Sequence, residues 1–337
     1  MPARYAPVVV ATCSTLVALY AGEHLVERAQ GRSYFDRVRA AAQAERRTFD
    51  GRTQLDVVRD LRRQGIAAVP FFNVKDIAAM RDRLGDQSDA LVPLSGLGGA
   101  VTVNCNESGE WTRFTADRHG FNNPDAIWNV VPDVVLLGDS FAMGQCVGPG
   151  EDIAGRLRAT GTRALTLGYA GKGPVATLAT LREYAEPLRP PPPRHRAVFD
   201  HFATLGGIRH LARTVVASGA DDLEAERALF EDVLAEAVRE VRAWGGRLIL
   251  LHLPSWEYAA GHRRMTDRVA VTLARVSNRH DVPLVSATPL FEVAEPFMYF
   301  QQGRLVPTHY SAAGYDAVAR LLADAIAGMD TAPAAPR

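Results

Sequence analysis

Three residue types that can together move an acyl group stand far apart in this chain. Ser140 ends the run "VVLLGDS", residues 134–140, and His309 stands in "VPTHYSAAGYDAVA". Between them lies a glycine-rich turn, "LGYAGKGP", residues 167–174. A serine hydroxyl is a weak nucleophile until a base removes its proton. Histidine is the usual base, because its pKa lies close to neutrality. Attack on a carbonyl also needs donors for the developing oxyanion, and backbone N–H groups in a glycine turn supply them. The chemistry this set predicts is acyl transfer from an ester. Each residue also has a plainer use: a turn serine, a tight loop, a polar residue before a helix.

Other chemistries find less support. A phosphate loop of the Walker type would need glycine where Thr166 stands and Ser or Thr where Gly173 stands, so nucleotide binding is excluded at this turn. No CxxC pair and no HExxH occurs, so no metal and no cofactor is expected. The chain has 38 basic and 38 acidic residues, a formal net charge of zero. Without a basic surplus, nucleic acid is not an expected partner.

The elements that must position these groups follow an alternating pattern. From residue 133, apolar strands ("DVVLLGD", "RALTLGYAG", "RLILLHLP", "VPLVSA") alternate with helical stretches ("EDIAGRLRA", "VATLATLREYA", residues 221–244, "RMTDRVAVTLARVSNRH", "SAAGYDAVARLLADAIAG"). Helix 221–244 places Leu223, Phe230, Val233, Leu234, Ala237, Val238, Val241 and Trp244 on one face, and Ser311 caps the last helix. The pattern predicts an α/β domain, residues 131–330, with a parallel sheet covered on both faces. Ligands bind such sheets at the carboxyl ends of the strands. Ser140 and His309 both fall at that edge.

At these residues the sequence resembles the SGNH, or GDSL-like, hydrolases, a superfamily of esterases, acetyl-hydrolases and acyltransferases. "LLGDSF" fits the first block, "LGYAGKGP" the second and "THYSAAGYDAVA" the last, over about residues 130–328. The resemblance implies a three-layer, flavodoxin-like parallel sheet. It implies Ser140 as nucleophile, Gly171 as an oxyanion donor, His309 as base, and Asp139 of the first block as a supporting residue. "CNESGEW" and "HGFNNP" look like the extra region of membrane-tethered, exopolysaccharide-associated members.

Two departures stand out. No asparagine occurs between Asn129 and Asn278, so the family's third block is not found. The stretch "LRPPPPRHRAVFDHF" leaves open whether the usual third strand is missing, with "RAVFDHF" as a short substitute. The second departure is the acid: Val306 and Pro307 stand where the family places an aspartate before its histidine. Glu257 is a candidate to orient His309 in its place, and Asn106, Asn122 or Asn123 a candidate for the missing donor. The expected substrate is an acylated carbohydrate or another ester, hydrolysed or passed to a second hydroxyl. The alternative is a catalytically impaired relative that binds polysaccharide or an assembly partner.

Upstream, residues 6–22 carry no charge, with Arg4 before them. They read as a signal anchor at the short limit for a membrane span, residues 1–22, or as a cleaved signal or a soluble helix. An anchor would place the rest of the chain outside the cytoplasm, in the periplasm, and a cleaved signal would secrete it. There Cys105 and Cys146 could oxidise to a disulfide, the other outcome being two free thiols. Residues 23–65 read as a membrane-proximal stalk or exposed helix, 66–130 as a β-containing accessory region, and 331–337 as a disordered tail.

Overall fold

The computed structural model describes residues 34–77, 93–185, 196–200 and 220–331. The anticipated anchor and the tail beyond 331 lie outside them, as do the four prolines at 190–193. Among the described residues, no helix is long and apolar enough to cross a membrane.

The chain first builds a small α/β layer. Helix α1 (Tyr34–Ala44) is followed by α2 (Gln54–Arg63), which starts at a capping box. The Thr53 side chain accepts from the Asp56 amide, and the Asp56 carboxylate accepts from the Thr53 amide. Strands β1 (Ala68–Pro70), β2 (Val101–Val103) and β3 (Arg113–Thr115) form a three-stranded sheet, parallel between β1 and β2 and antiparallel between β2 and β3. Val57, Val58 and Leu61 of α2 are buried against Ala68 and Val103. Val38 and Ala41 of α1 pack on Val306, close to His309 in sequence. Residues 34–65 are therefore not a stalk. Their apolar face is buried by the body of the protein, an outcome that helical spacing alone does not distinguish from exposure.

The second unit opens with β4 (Val134–Leu137), buried at every position, and the one-turn helix α3 (Ser140–Met143). Then come α4 (Ile153–Ala159), β5 (Ala164–Thr166), α5 (Pro174–Thr180), β6 (Arg196–Asp200), α6 (Ala220–Ala243) and β7 (Arg247–His252). The short α7 (Trp256–Ala259), α8 (Arg263–His280), β8 (Leu284–Ser286) and α9 (Ala312–Thr331) complete it. All strand pairs are parallel, in the order β5-β4-β6-β7-β8. That is the flavodoxin-like order 2-1-3-4-5, whose switch point lies between its first and third strands. Helices α4 and α9 pack together, and α5, α6 and α8 form a second group.

The third strand is present. "RAVFD" is β6, in the centre of the sheet, pairing Leu136 with Val198 on one side and Val198 with Ile249 on the other. The doubt raised by the prolines is resolved by their position, since they precede the strand and do not enter it.

The two units are sewn together at β5, the sheet edge. Asn123 accepts the Thr166 amide at 2.9 Å and donates to the Thr166 carbonyl at 2.8 Å, as a neighbouring strand would. Asp117 steadies Asn123 through its Nδ2 at 2.9 Å and accepts the Trp128 indole N–H at 2.8 Å. The stretch "DRHGFNNPD" thus closes an edge that would otherwise offer unpaired backbone.

Candidate active site

Ser140 is placed by the end of β4. The chain leaves the strand at Gly138, and Asp139 accepts the Phe141 amide at 3.1 Å, capping α3. Asp139 is buried, so its role is to fix the turn that presents Ser140, which is half-buried. The glycine turn presses on this helix from the side. A Cβ on Gly168 would come within 2.4 Å of the Met143 backbone nitrogen, so only glycine permits the approach. Lys172 of the same turn faces inward. Its ammonium donates to the Leu167 carbonyl at 2.8 Å and lies 4.9 Å from the Phe121 ring centre. Burial pushes its pKa well below the usual lysine range. It is a structural residue and does not reach out to an anion.

His309 stands in the loop before α9, whose first turn is capped by the Ser311 hydroxyl, an acceptor for the Gly314 amide at 3.3 Å. The loop is held by a bridge between Phe300 and Tyr310 and by Gln301, whose side-chain amide donates to the Cys146 and Tyr310 carbonyls, each at 2.9 Å. The His309 ring lies 5.0 Å from the ring of Phe141, the residue after Ser140. His309 and Ser140 therefore lie at one rim of the sheet.

A carboxylate from the other unit meets His309. Glu107, in the turn between β2 and β3, accepts the His309 backbone N–H at 2.7 Å through Oε2. Its Oε1 lies 2.9 Å from His309 Nδ1. An ionised carboxylate only accepts, so Nδ1 carries the proton and Nε2 is left as the basic nitrogen. Glu107 is itself pinned: the Gln302 side-chain amide donates to its carbonyl, and Arg47 donates to Gln302 Oε1 at 2.6 Å.

Cys105 and Cys146 are joined in a disulfide with Cα atoms 5.1 Å apart. The sulfur of Cys146 lies 3.6 Å from His309 Nδ1. The bond therefore ends two residues before Glu107 and six after Ser140, beside the histidine they share.

Several anticipated roles fall elsewhere. Glu257 is not the carboxylate on Nδ1; it lies in the first turn of α7. Asn106 donates to the Asp50 carbonyl at 2.7 Å, and Asn122 to the Met143 carbonyl at 3.0 Å. With Asn123 spent on β5, all three asparagines tie loops together, and none is shown at an oxyanion. Gly171 has φ +82°, a conformation that glycine adopts freely. What covers it was not foreseen. A Cβ at Gly171 would lie 3.2 Å from the Asn73 Cβ, and the Val74 amide donates to the Ala170 carbonyl at 3.2 Å. Asn73 therefore packs its Cβ against the glycine turn, while its Nδ2 donates to Asp76 at 3.0 Å.

No family model matches the chain, and no curated protein matches it. Solved structures do. A member of the lipolytic protein G-D-S-L family from Veillonella parvula DSM 2008 is 14% identical, covering 58% of this chain and 97% of its own, with a TM-score of 0.43. A lipase/acylhydrolase from Enterococcus faecalis is 18% identical over 58% of this chain and 95% of its own, at 0.40. An acetyl xylan esterase is 14% identical over 57% and 98%, at 0.44. The flavodoxin-like strand order is read from this chain's own sheet. The site rests on its own geometry.

Proposed function

We propose that this protein is a serine ester hydrolase of SGNH type that removes O-acyl groups, acetyl foremost, from a carbohydrate or exopolysaccharide. The observation that carries the reading is the Glu107–His309 pair, set against the helix that begins with Ser140. Ser140 Oγ attacks the acyl carbonyl while His309 Nε2 takes its proton. Glu107 holds the ring and stabilises the imidazolium. The backbone N–H groups of Ser140 and Gly171 and the amide of Asn73 receive the oxyanion. His309 then protonates the leaving sugar hydroxyl, and water, or a second sugar hydroxyl, resolves the acyl-enzyme.

The carbohydrate part of the reading is supported by the likeness of "CNESGEW" and "HGFNNP" to the extra region of exopolysaccharide-associated SGNH proteins. An oxidising compartment is supported by the disulfide, and attachment to a membrane by the uncharged residues 6–22. The impaired-relative reading loses one of its two grounds, because the acid is present on another segment.

The test is direct. The purified protein is expected to bond a fluorophosphonate probe at Ser140, to turn over p-nitrophenyl acetate and to release acetate from an O-acetylated polysaccharide. Folded protein that neither labels nor turns over the ester refutes the proposal.

A further inference from the structure

Glu107 and Ser140 both lie inside the loop that the Cys105–Cys146 disulfide closes, a separation of 41 residues. The bond stands at the point where this loop meets His309. On one side Glu107 Oε1 is 2.9 Å from Nδ1, and on the other Cys146 Sγ is 3.6 Å from the same nitrogen. Cys105 is 7% exposed and Cys146 1%, so the bond is buried beside the ring. Cys146 also has φ 71°, a left-handed conformation rare for a residue with a side chain. Such a conformation persists only where its surroundings impose it. Its partner reaches across to a strand end two residues from Glu107.

From this geometry we propose that the disulfide is a positioning element of the acid, added to the Gln302 and Asn106 bonds. It holds Glu107 on His309, so that the activity, read here as ester hydrolysis, depends on the oxidation state of Cys105 and Cys146. The remaining ties of this region do not involve sulfur: Asn106 to the Asp50 carbonyl, Gln302 to the Glu107 carbonyl and Gln301 to the Cys146 carbonyl. The reduced protein therefore keeps its fold while Cys146 relaxes from its left-handed conformation and the carboxylate loses its fixed distance to Nδ1. Reduction is an ordinary exchange. A dithiol attacks one sulfur, the Cys105–Cys146 bond breaks, and the second thiol displaces the mixed disulfide. Two protein thiols form, and the dithiol ends as a cyclic disulfide.

The experiment compares oxidised protein, protein reduced with dithiothreitol and verified by thiol titration, and Cys105→Ala/Cys146→Ala, each with and without Glu107→Gln. Loss of the disulfide is expected to lower kcat at least tenfold with KM within about twofold. In the Glu107→Gln background the further loss is expected to stay under about twofold, because the bond acts through Glu107. Losses that multiply, or full activity with two free thiols, overturn the proposal. A second readout needs no substrate. The proton on His309 Nδ1 is expected as a downfield NMR line in the oxidised protein, lost in Glu107→Gln and lost or broadened on reduction. A line unchanged by reduction overturns the proposal. If the double cysteine variant does not fold, reduced native protein with its circular dichroism carries the comparison. If oxidised protein shows the line but no turnover, the esterase reading fails and the line still decides this inference.

Discussion

Glu107 grips His309 twice, at the backbone N–H and at ring Nδ1, across 202 residues of chain. The two bonds fix both the loop and the ring, so the orientation of the base does not depend on its sequence neighbours. A carboxylate two or three positions upstream, which this chain lacks, is unnecessary.

Replacing Glu107 with Gln keeps the size of the side chain but lets Nδ1 become an acceptor, the wrong tautomer for a base at Nε2. In a serine protease the analogous change lowers kcat about 10⁴-fold. A loss of roughly 10³- to 10⁴-fold is expected here, with KM little changed. Glu257→Gln, measured beside it, is expected to retain activity within about twofold. Steady-state kinetics on p-nitrophenyl acetate read both, and the reverse ranking would return the role to Glu257.

Asn73→Ala removes the side-chain amide proposed to reach the oxyanion from beside the glycine turn. Loss of one oxyanion donor typically lowers kcat about 10²- to 10³-fold. The same range is expected, without loss of fluorophosphonate labelling capacity at long times. Asn122→Ala should instead show itself in a thermal melt, because Asn122 ties its loop to the Met143 carbonyl. An Asn73→Ala enzyme with unaltered kcat would leave the oxyanion to the backbone alone.

Stability should fall in mild acid. Burial pushes His252 down to about 4, from an ordinary value of 6.5. Between those two pH values the unfolded chain binds the proton and the folded one does not, so stability is full above about 6.5 and declines as pH falls toward 4. His252→Leu should flatten that limb of a denaturation midpoint plotted against pH. A limb of undiminished slope would assign the acid sensitivity to other groups.

The sequence exposes the sheet and the positions of Ser140 and His309 because local pattern controls them. Four buried residues in a row make β4, the helical period makes α6 and α8, and Ser140 and His309 follow from their places at strand and helix ends. The acid is hidden because its placement depends on a non-local event, the folding of β2 and β3 back onto the His309 loop. One signal was available. Had Cys105 and Cys146 been taken as bonded, Glu107 would have been carried to within a few residues of the Ser140 turn. The stalk reading failed for a related reason: the apolar face of α2 needs a partner, and its partner is a sheet whose strands are only three residues long. Strands that short carry almost no alternation to read.

The three reacting groups leave the ribosome in the order 107, 140, 309, and the last of them stands near the end of the chain. A nascent chain holding the hydroxyl and the carboxylate is inert, because no imidazole has yet emerged to join them. The loop that carries His309 leads directly into α9, which packs on α4, so in the proposed mechanism the base is the last group to arrive.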